Sequence, residues 1–246
     1  MVAASAGGLC YNTPRMKFSE DIRAAVRIGL ASARANFLPM AVLWFLAAMT
    51  AFGYYFSPGV ASLLEPVRCW QEESGPIAAF LNRLIFCGVI PGALMVTIKS
   101  IRPAFPIRAL IAQVLWCGIW GIICDRMYIA IDMVFGSGRD LFSIFVKTAF
   151  DQLPWTVLVV MPCNAAFYFW LARGLSFGRT VSDWPRGCFW QTLVLPFVVT
   201  NWCVWIPVTF AVFALPLALR VQISGLASSY WTLVCLHLGR SATRDC

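Results

Sequence analysis

The stretch LFSIFVKTAFDQLPWTVLVVMPCNAAFYFWLA, residues 141–172, decides how this chain is read. From Leu153 to Ala172 it carries no charge, and it has the roughly 20 residues that a helix needs to cross the hydrocarbon core of a bilayer. Lys147, Asp151 and Gln152 stand just before that run. A span that starts at Leu141 places all three inside the bilayer, and one that starts at Leu153 leaves them at its surface; the residues alone leave both open. Ionisable groups at membrane depth are expensive and mark either a working site or a structural ion pair. Lys147 and Asp151, four residues apart, share a helical face, so a Lys147–Asp151 pair that opens and closes as a gate is one expectation.

The composition around this stretch has the same character. The chain has 246 residues, 60% of them hydrophobic and 12% charged, with a mean hydropathy of +0.76, too apolar for an ordinary soluble domain. A formal net charge of +8 suggests nucleic acid at first, but the cations are spread among apolar segments and form no basic stripe, as a membrane topology signal would have them. Ten cysteines do not read as a disulfide framework, because Cys87, Cys117, Cys163, Cys203 and Cys235 lie inside apolar segments, where reduced cysteine serves as a small core residue. With no C-x-x-C pair and a single histidine, His237, a His/Cys metal site is not expected.

Six apolar segments suit membrane helices: Phe37 to Phe56, Ile77 to Ile98, Ala109 to Ile131, Leu153 to Ala172, Phe189 to Ile206 and Val221 to Leu238. The fifth is the least regular, since it holds Gln191, Pro196 and Asn201 and is followed by Pro207 and Pro216; it is expected either to break or to merge with residues up to Leu219. Ahead of the first segment, Phe18, Ile22, Val26, Gly29 and Ala33 recur at helical spacing with Arg23, Arg27 and Arg34 off that stripe, an amphipathic helix for the membrane surface or for packing on the spans. Met1 to Asn36 lacks the apolar core of a secretory signal; its arginines suit an organelle-targeting segment, although Glu20-Asp21 interrupts it. The expected organisation is a basic segment over 1–36, one helical membrane domain over 37–240 and a tail over 241–246. Lys and Arg gather in the N-terminal segment, around Lys99 to Arg108, from Arg173 to Arg186 and after Leu238, which places both termini on one, cytosol-like side. The acidic connection Ser57 to Gly75 then belongs on the other side. Trp184, Trp190, Trp202, Trp205 and Trp231 are expected to form aromatic belts flanking the fifth span.

In the third segment, helical spacing gathers Gly118, Gly121, Asp125, Tyr128 and Asp132 on one face, with small residues that permit close helix approach. That face is either a polar pore or binding surface near the membrane edge, or a solvated Asp125–Arg126 region at the lipid boundary. Arg220, between two apolar segments, either lines a pore and favours anions or pairs with Asp151 or Asp132, pairing being the expected outcome. Asn164, Gln191 and Asn201 are expected to form hydrogen bonds between helices, each contributing about 0.6 kcal/mol.

Gly121, Tyr128 and Asp132, then Lys147-x-x-x-Asp151-Gln152 with Pro154, then Trp202, Trp205, Pro216-x-x-x-Arg220 and Trp231 together resemble the twenty-two-kilodalton peroxisomal membrane protein family, also called the Mpv-seventeen family. The resemblance covers roughly Gly118 to Leu236. Ile122, Asp125 and Met127 stand where the family has Pro, His and Trp, and Ile206 replaces a proline, which makes the chain similar to a distant member. The resemblance implies a small α-helical protein of an organelle membrane, mitochondrial inner or peroxisomal, associated with weakly selective passage of small solutes and with organelle homeostasis. A bacterial inner membrane is the alternative, because the N-terminal half lies outside the resemblance.

The expectation is therefore an all-α polytopic membrane protein of about six helices, some broken by proline, preceded by an amphipathic helix. Asp125, Asp132, Lys147, Asp151, Gln152 and Arg220 are the candidates to line a pore or to pair. No enzyme is expected, since there is no phosphate-binding glycine loop and no grouping of acids with histidine. The partners expected are membrane lipids and small solutes, with a homo-oligomer left open; nucleic acid and cofactors are not expected. A structural or adaptor role, in which the charges only hold helices together, is the competing expectation.

Overall fold

A computed structural model of the chain describes residues 37–97, 107–185 and 189–244, together with Arg23, Val26, Arg27, Leu30 and Arg34 ahead of them. The amphipathic helix expected over Lys17 to Ala35 lies almost wholly outside the described residues. Among those residues every regular element is helical. They are α1, Phe37–Phe56; α2, Pro58–Ser74; α3, residues 76–97; α4, Ile107–Phe135; α5, Leu141–Ala172; α6, Phe177–Ser182; α7, Trp190–Ala214; and α8, Leu217–Arg244.

Four of them are long and apolar enough to cross a membrane, over Pro76–Ala93, Ile107–Phe135, Leu141–Ala172 and Trp190–Ala214. The fold is thus compatible with an integral membrane protein. The two outermost of the six expected segments are also helical, as α1 and within α8. The helix that carries Lys147, Asp151 and Gln152 begins at Leu141, so all three groups are part of it.

The distribution of side chains on α4 is the reverse of that on a soluble helix. Ile107, Ile111, Leu115 and Ile119, four residues apart, face outward, while Gln113 and Cys117 are buried. A helix whose outer stripe is aliphatic and whose inner stripe is polar or small suits lipid outside and helix contacts within. Gly121 makes the closest of those contacts possible. A Cβ on it would lie 2.3 Å from the carbonyl oxygen of Ala79 in α3, and one on Gly118 would lie 2.5 Å from the Phe80 ring. The close approach expected of these two glycines is therefore made between α4 and α3.

Three stretches widen from the α to the π pattern: Leu84–Val89 in α3, Asp151–Val160 in α5 and Trp190–Val194 in α7. In α5 the cause is visible, since Pro154 has no N–H to give to the ladder. The fifth segment does not break at Pro207; α7 runs through it and ends at Ala214. Pro216 separates α7 from α8. The acidic connection Ser57 to Gly75 is itself helical, with Pro58 at its first turn, and Gly75, at φ +50°, makes the sharp turn into α3. On α2 the half-buried Arg68 bonds both Glu65 and Glu72.

Candidate functional site

Asp132, near the end of α4, is the centre of a buried cluster of charge. Its Oδ1 accepts from Lys147 Nζ of α5 at 2.7 Å and from Arg220 Nη1 of α8 at 2.8 Å. Both cations are fully buried. Lys147 also donates to the Gly138 carbonyl at 3.0 Å, and Arg220 Nε donates to the Leu215 carbonyl at 3.1 Å, which ties the breaks on either side of α5 and α8 to the same carboxylate. One carboxylate shared by two cations leaves a net positive charge, partly spread over those carbonyls and over the Phe213 ring, 5.2 Å from the Arg220 guanidinium. The pairing expected of Arg220 is thus made with Asp132. The Lys147–Asp151 pair is not formed: although the two share a helix, Lys147 reaches across the 136–140 turn to Asp132.

Asp151 faces a different place. It lines a cavity of about 690 Å³, counting the open space at its mouth, walled by α3, α4, α5, α7 and α8. Arg83 of α3 and Tyr128 of α4 line the same space, as do Gln152 and Asn164 of α5 and Asn201 of α7. Aromatic rings fill out the wall, among them Trp116, Trp155, Trp205 and Trp231. A largely apolar cavity with a few fixed polar groups has the make-up of a site for a small molecule. Two of the three π-helical stretches adjoin it, carrying Cys87 on one and Asp151, Gln152 and Thr156 on the other; such widened turns gather at functional sites because they re-aim side chains.

The polar groups of the cavity are held from behind. Gln152 Nε2 donates to Asp151 Oδ2 at 3.0 Å and to Thr209 Oγ1 at 3.1 Å, while its Oε1 accepts from Asn201 Nδ2 at 3.0 Å. Trp202 Nε1 donates to the Gln152 carbonyl at 2.8 Å. On α3, Arg83 Nη2 donates to Ser224 Oγ of α8 at 2.8 Å and Nη1 donates to Ser228 Oγ of the same helix. Trp116 Nε1 donates to Asn164 Oδ1 at 3.1 Å. The bonds expected of Asn164 and Asn201 therefore do run between helices. Among the described residues, neither Arg83 nor Asp151 belongs to an ion pair.

Of the six charged or amide candidates from the sequence, only Asp151 and Gln152 line the cavity. Asp132, Lys147 and Arg220 form the cluster described above. Asp125 is buried outside the cavity; its Oδ1 accepts from Gln71 Nε2 at 3.0 Å, and Arg126 sits 3.1 Å from its other oxygen. Among the motif residues Tyr128, Trp205 and Trp231 reach the cavity wall. Gly118 and Gly121 pack α3 on α4, Trp202 holds Gln152, and Pro216 precedes α8. The expected tryptophan belt is corrected in the same way: Trp190 is exposed, but Trp231 is buried and Trp205 lines the cavity, because the polar residues of α5 and α7 give inward rings something to cover.

The sequence reading missed Arg83. The Asn82-Arg83 pair lies well inside Pro76–Ala93, and both residues are buried. The available signal was a charged and an amide residue side by side within an apolar run. Asn82 faces α8, donating to Gln222 Oε1 at 2.6 Å.

Fold and site together define a class, a helical protein with four helices long and apolar enough to cross a membrane and a largely apolar cavity that holds a few polar groups. Comparison of the chain with protein-family models, with characterised proteins and with solved structures gives no match.

Proposed function

We propose that this protein spans a membrane and lets small polar solutes pass by way of the cavity between α3, α4, α5, α7 and α8. The observation that carries the reading is that Arg83 and Asp151 face one apolar-walled cavity, both more than nine-tenths buried, and that neither belongs to an ion pair among the described residues. Charge withdrawn from water and left unpaired is costly, and in membrane helices it marks a path for solutes or ions. In this reading α1 and α8 cross the membrane as well, giving six spans and both termini on the positively charged side. The resemblance to the Mpv-seventeen family supports weakly selective passage and an organelle membrane, mitochondrial inner or peroxisomal.

The second reading, a structural membrane protein, is favoured by the Asp132 cluster, whose three charges join α4, α5 and α8 and lie off the cavity. Single-channel recording in planar bilayers separates the two. Wild-type protein is expected to give discrete openings whose ion selectivity, read from the reversal potential across a salt gradient, shifts toward anions in Asp151→Asn. Silent bilayers containing correctly folded protein would overturn the solute-passage reading and leave the structural one.

A further inference from the structure

Among the described residues the cavity carries opposite charges on two different helices, Arg83 on α3 and Asp151 on α5, each held still and each with one polar atom that bonds no protein partner. Ser224 and Ser228 of α8 hold the two terminal amino groups of Arg83, while its Nε is buried without an acceptor. A second buried donor without an acceptor among the described residues, the indole Nε1 of Trp120 on α4, belongs to a residue that lines the same cavity. On α5 Asp151 uses Oδ2 to accept from Gln152, and among the described residues its Oδ1 has no protein donor. The Gln152 amide cannot swing away to serve Oδ1, because Asn201 and Thr209 hold it from the other side.

Two unused donors beside a guanidinium call for an anionic oxygen, and a carboxylate oxygen without a donor calls for a cation. An anion alone would neutralise Arg83 and leave Asp151 uncompensated in an apolar surround; a cation alone would do the reverse. A molecule carrying both charges satisfies both walls and brings no net charge into the bundle, where the cost of burying charge is highest. The remaining wall, with Trp155, Met161, Trp205 and Trp231, suits a short hydrocarbon skeleton between or beside the two groups.

We infer that the cavity binds a small zwitterion of the amino-carboxylic acid class, its carboxylate on Arg83 and Trp120 and its ammonium on Asp151. The inference rests on the reading of this cavity as a solute site and names the solute.

The test uses the full chain in lipid nanodiscs and equilibrium dialysis with four radiolabelled probes of one carbon count: 4-aminobutanoate, 2-aminobutanoate, butanoate and butylamine. At least one of the amino acids is expected to bind about tenfold or more tighter than butanoate and than butylamine, the margin of one charge-assisted contact. Asp151→Asn is expected to erase the margin over butanoate, and Arg83→Gln the margin over butylamine. Should Arg83→Gln fail to fold, Trp120→Phe, which keeps an aromatic side chain while removing the N–H with the pyrrole ring, is expected to weaken both the amino acids and butanoate several-fold while leaving butylamine unchanged.

Butanoate binding wild type as tightly as the amino acids would overturn the inference in favour of an anion site, and butylamine doing so in favour of a cation site. No binding by any probe to folded protein that still conducts in bilayers would overturn it while leaving solute passage standing. Binding with the expected ranking in a protein that stays silent in bilayers would uphold it and remove the passage reading instead.

Discussion

Lys147 sets its ammonium 2.7 Å from Asp132 on the neighbouring helix and leaves Asp151, one turn further along its own helix, to the cavity. The division has a physical basis. Asp132 already draws Arg220, and its position beside the 136–140 turn lets a lysine seven residues into α5 reach both it and the Gly138 carbonyl. One carboxylate thereby closes the α4–α5 and α7–α8 ends of the bundle, and a second is freed for a different use.

The shared carboxylate should matter more than either of its cations. Asp132→Asn leaves two buried positive charges uncompensated, and removing one partner of a buried pair costs about 3–5 kcal/mol. Lys147→Met and Arg220→Met each leave Asp132 with one cation and are expected to cost less. Unfolding of the three purified variants in mixed micelles with increasing denaturing detergent measures the ranking; equal losses in all three would show that the cluster is not organised around Asp132.

Gly121→Ala is expected to destabilise by about 1–3 kcal/mol, the usual cost of overpacking, because the added methyl would meet the Ala79 backbone oxygen at 2.3 Å and backbone cannot step aside as a side-chain tip can. Gly178→Ala in α6, with nothing within 4 Å of the new Cβ, is the matched control and is expected to be neutral or slightly stabilising. The same unfolding assay reads both.

Asp140, just ahead of α5, accepts from Ser143 Oγ at 2.5 Å and from the Ser143 amide at 3.1 Å. Those bonds favour the ionised carboxylate and hold its pKa below the ordinary value, the Ser143 hydroxyl contributing most. A group whose pKa is depressed on folding contributes its full stabilisation above its unfolded pKa and loses it as pH falls through the folded one. Protection of the Ser143 amide from hydrogen exchange, corrected for intrinsic rates, should therefore be constant near neutral pH. It should fall only below the ordinary carboxylate range, at about pH 4 and under. Asp140→Ala is expected to abolish that pH dependence; an unchanged profile would show that the cap does not form.

Spin labels at positions 111, 115 and 119, the outward stripe of α4, are expected to be reached by oxygen dissolved in a bilayer and not by a water-soluble nickel reagent. A label at 113, on the buried face, should be shielded from both. Access of the nickel reagent to the whole outer stripe would show that α4 does not face lipid.

The sequence alone was enough for the helical class, because an uncharged run such as Leu153 to Ala172 has only a helix in which to satisfy its backbone away from water. It was also enough to mark Gly118 and Gly121 as contact points and to foresee that Arg220 would pair with an acid, since both follow from residue size and charge. It could not choose between Asp132 and Asp151 as the partner of Lys147. Spacing along one helix makes Asp151 the neighbour, and only the turn at 136–140, which brings α4 back against α5, makes Asp132 nearer.

Nor could it single out Arg83. The significance of that residue comes from Ser224 and Ser228, more than 140 positions away on α8, and from the carboxylate on α5 that lines the same cavity. A sequence states which charges exist and what each would cost if left alone in an apolar surround. Which of them find partners, and which are left facing a cavity, depends on helix packing that joins residues far apart in the chain, and that was decided by the tertiary structure.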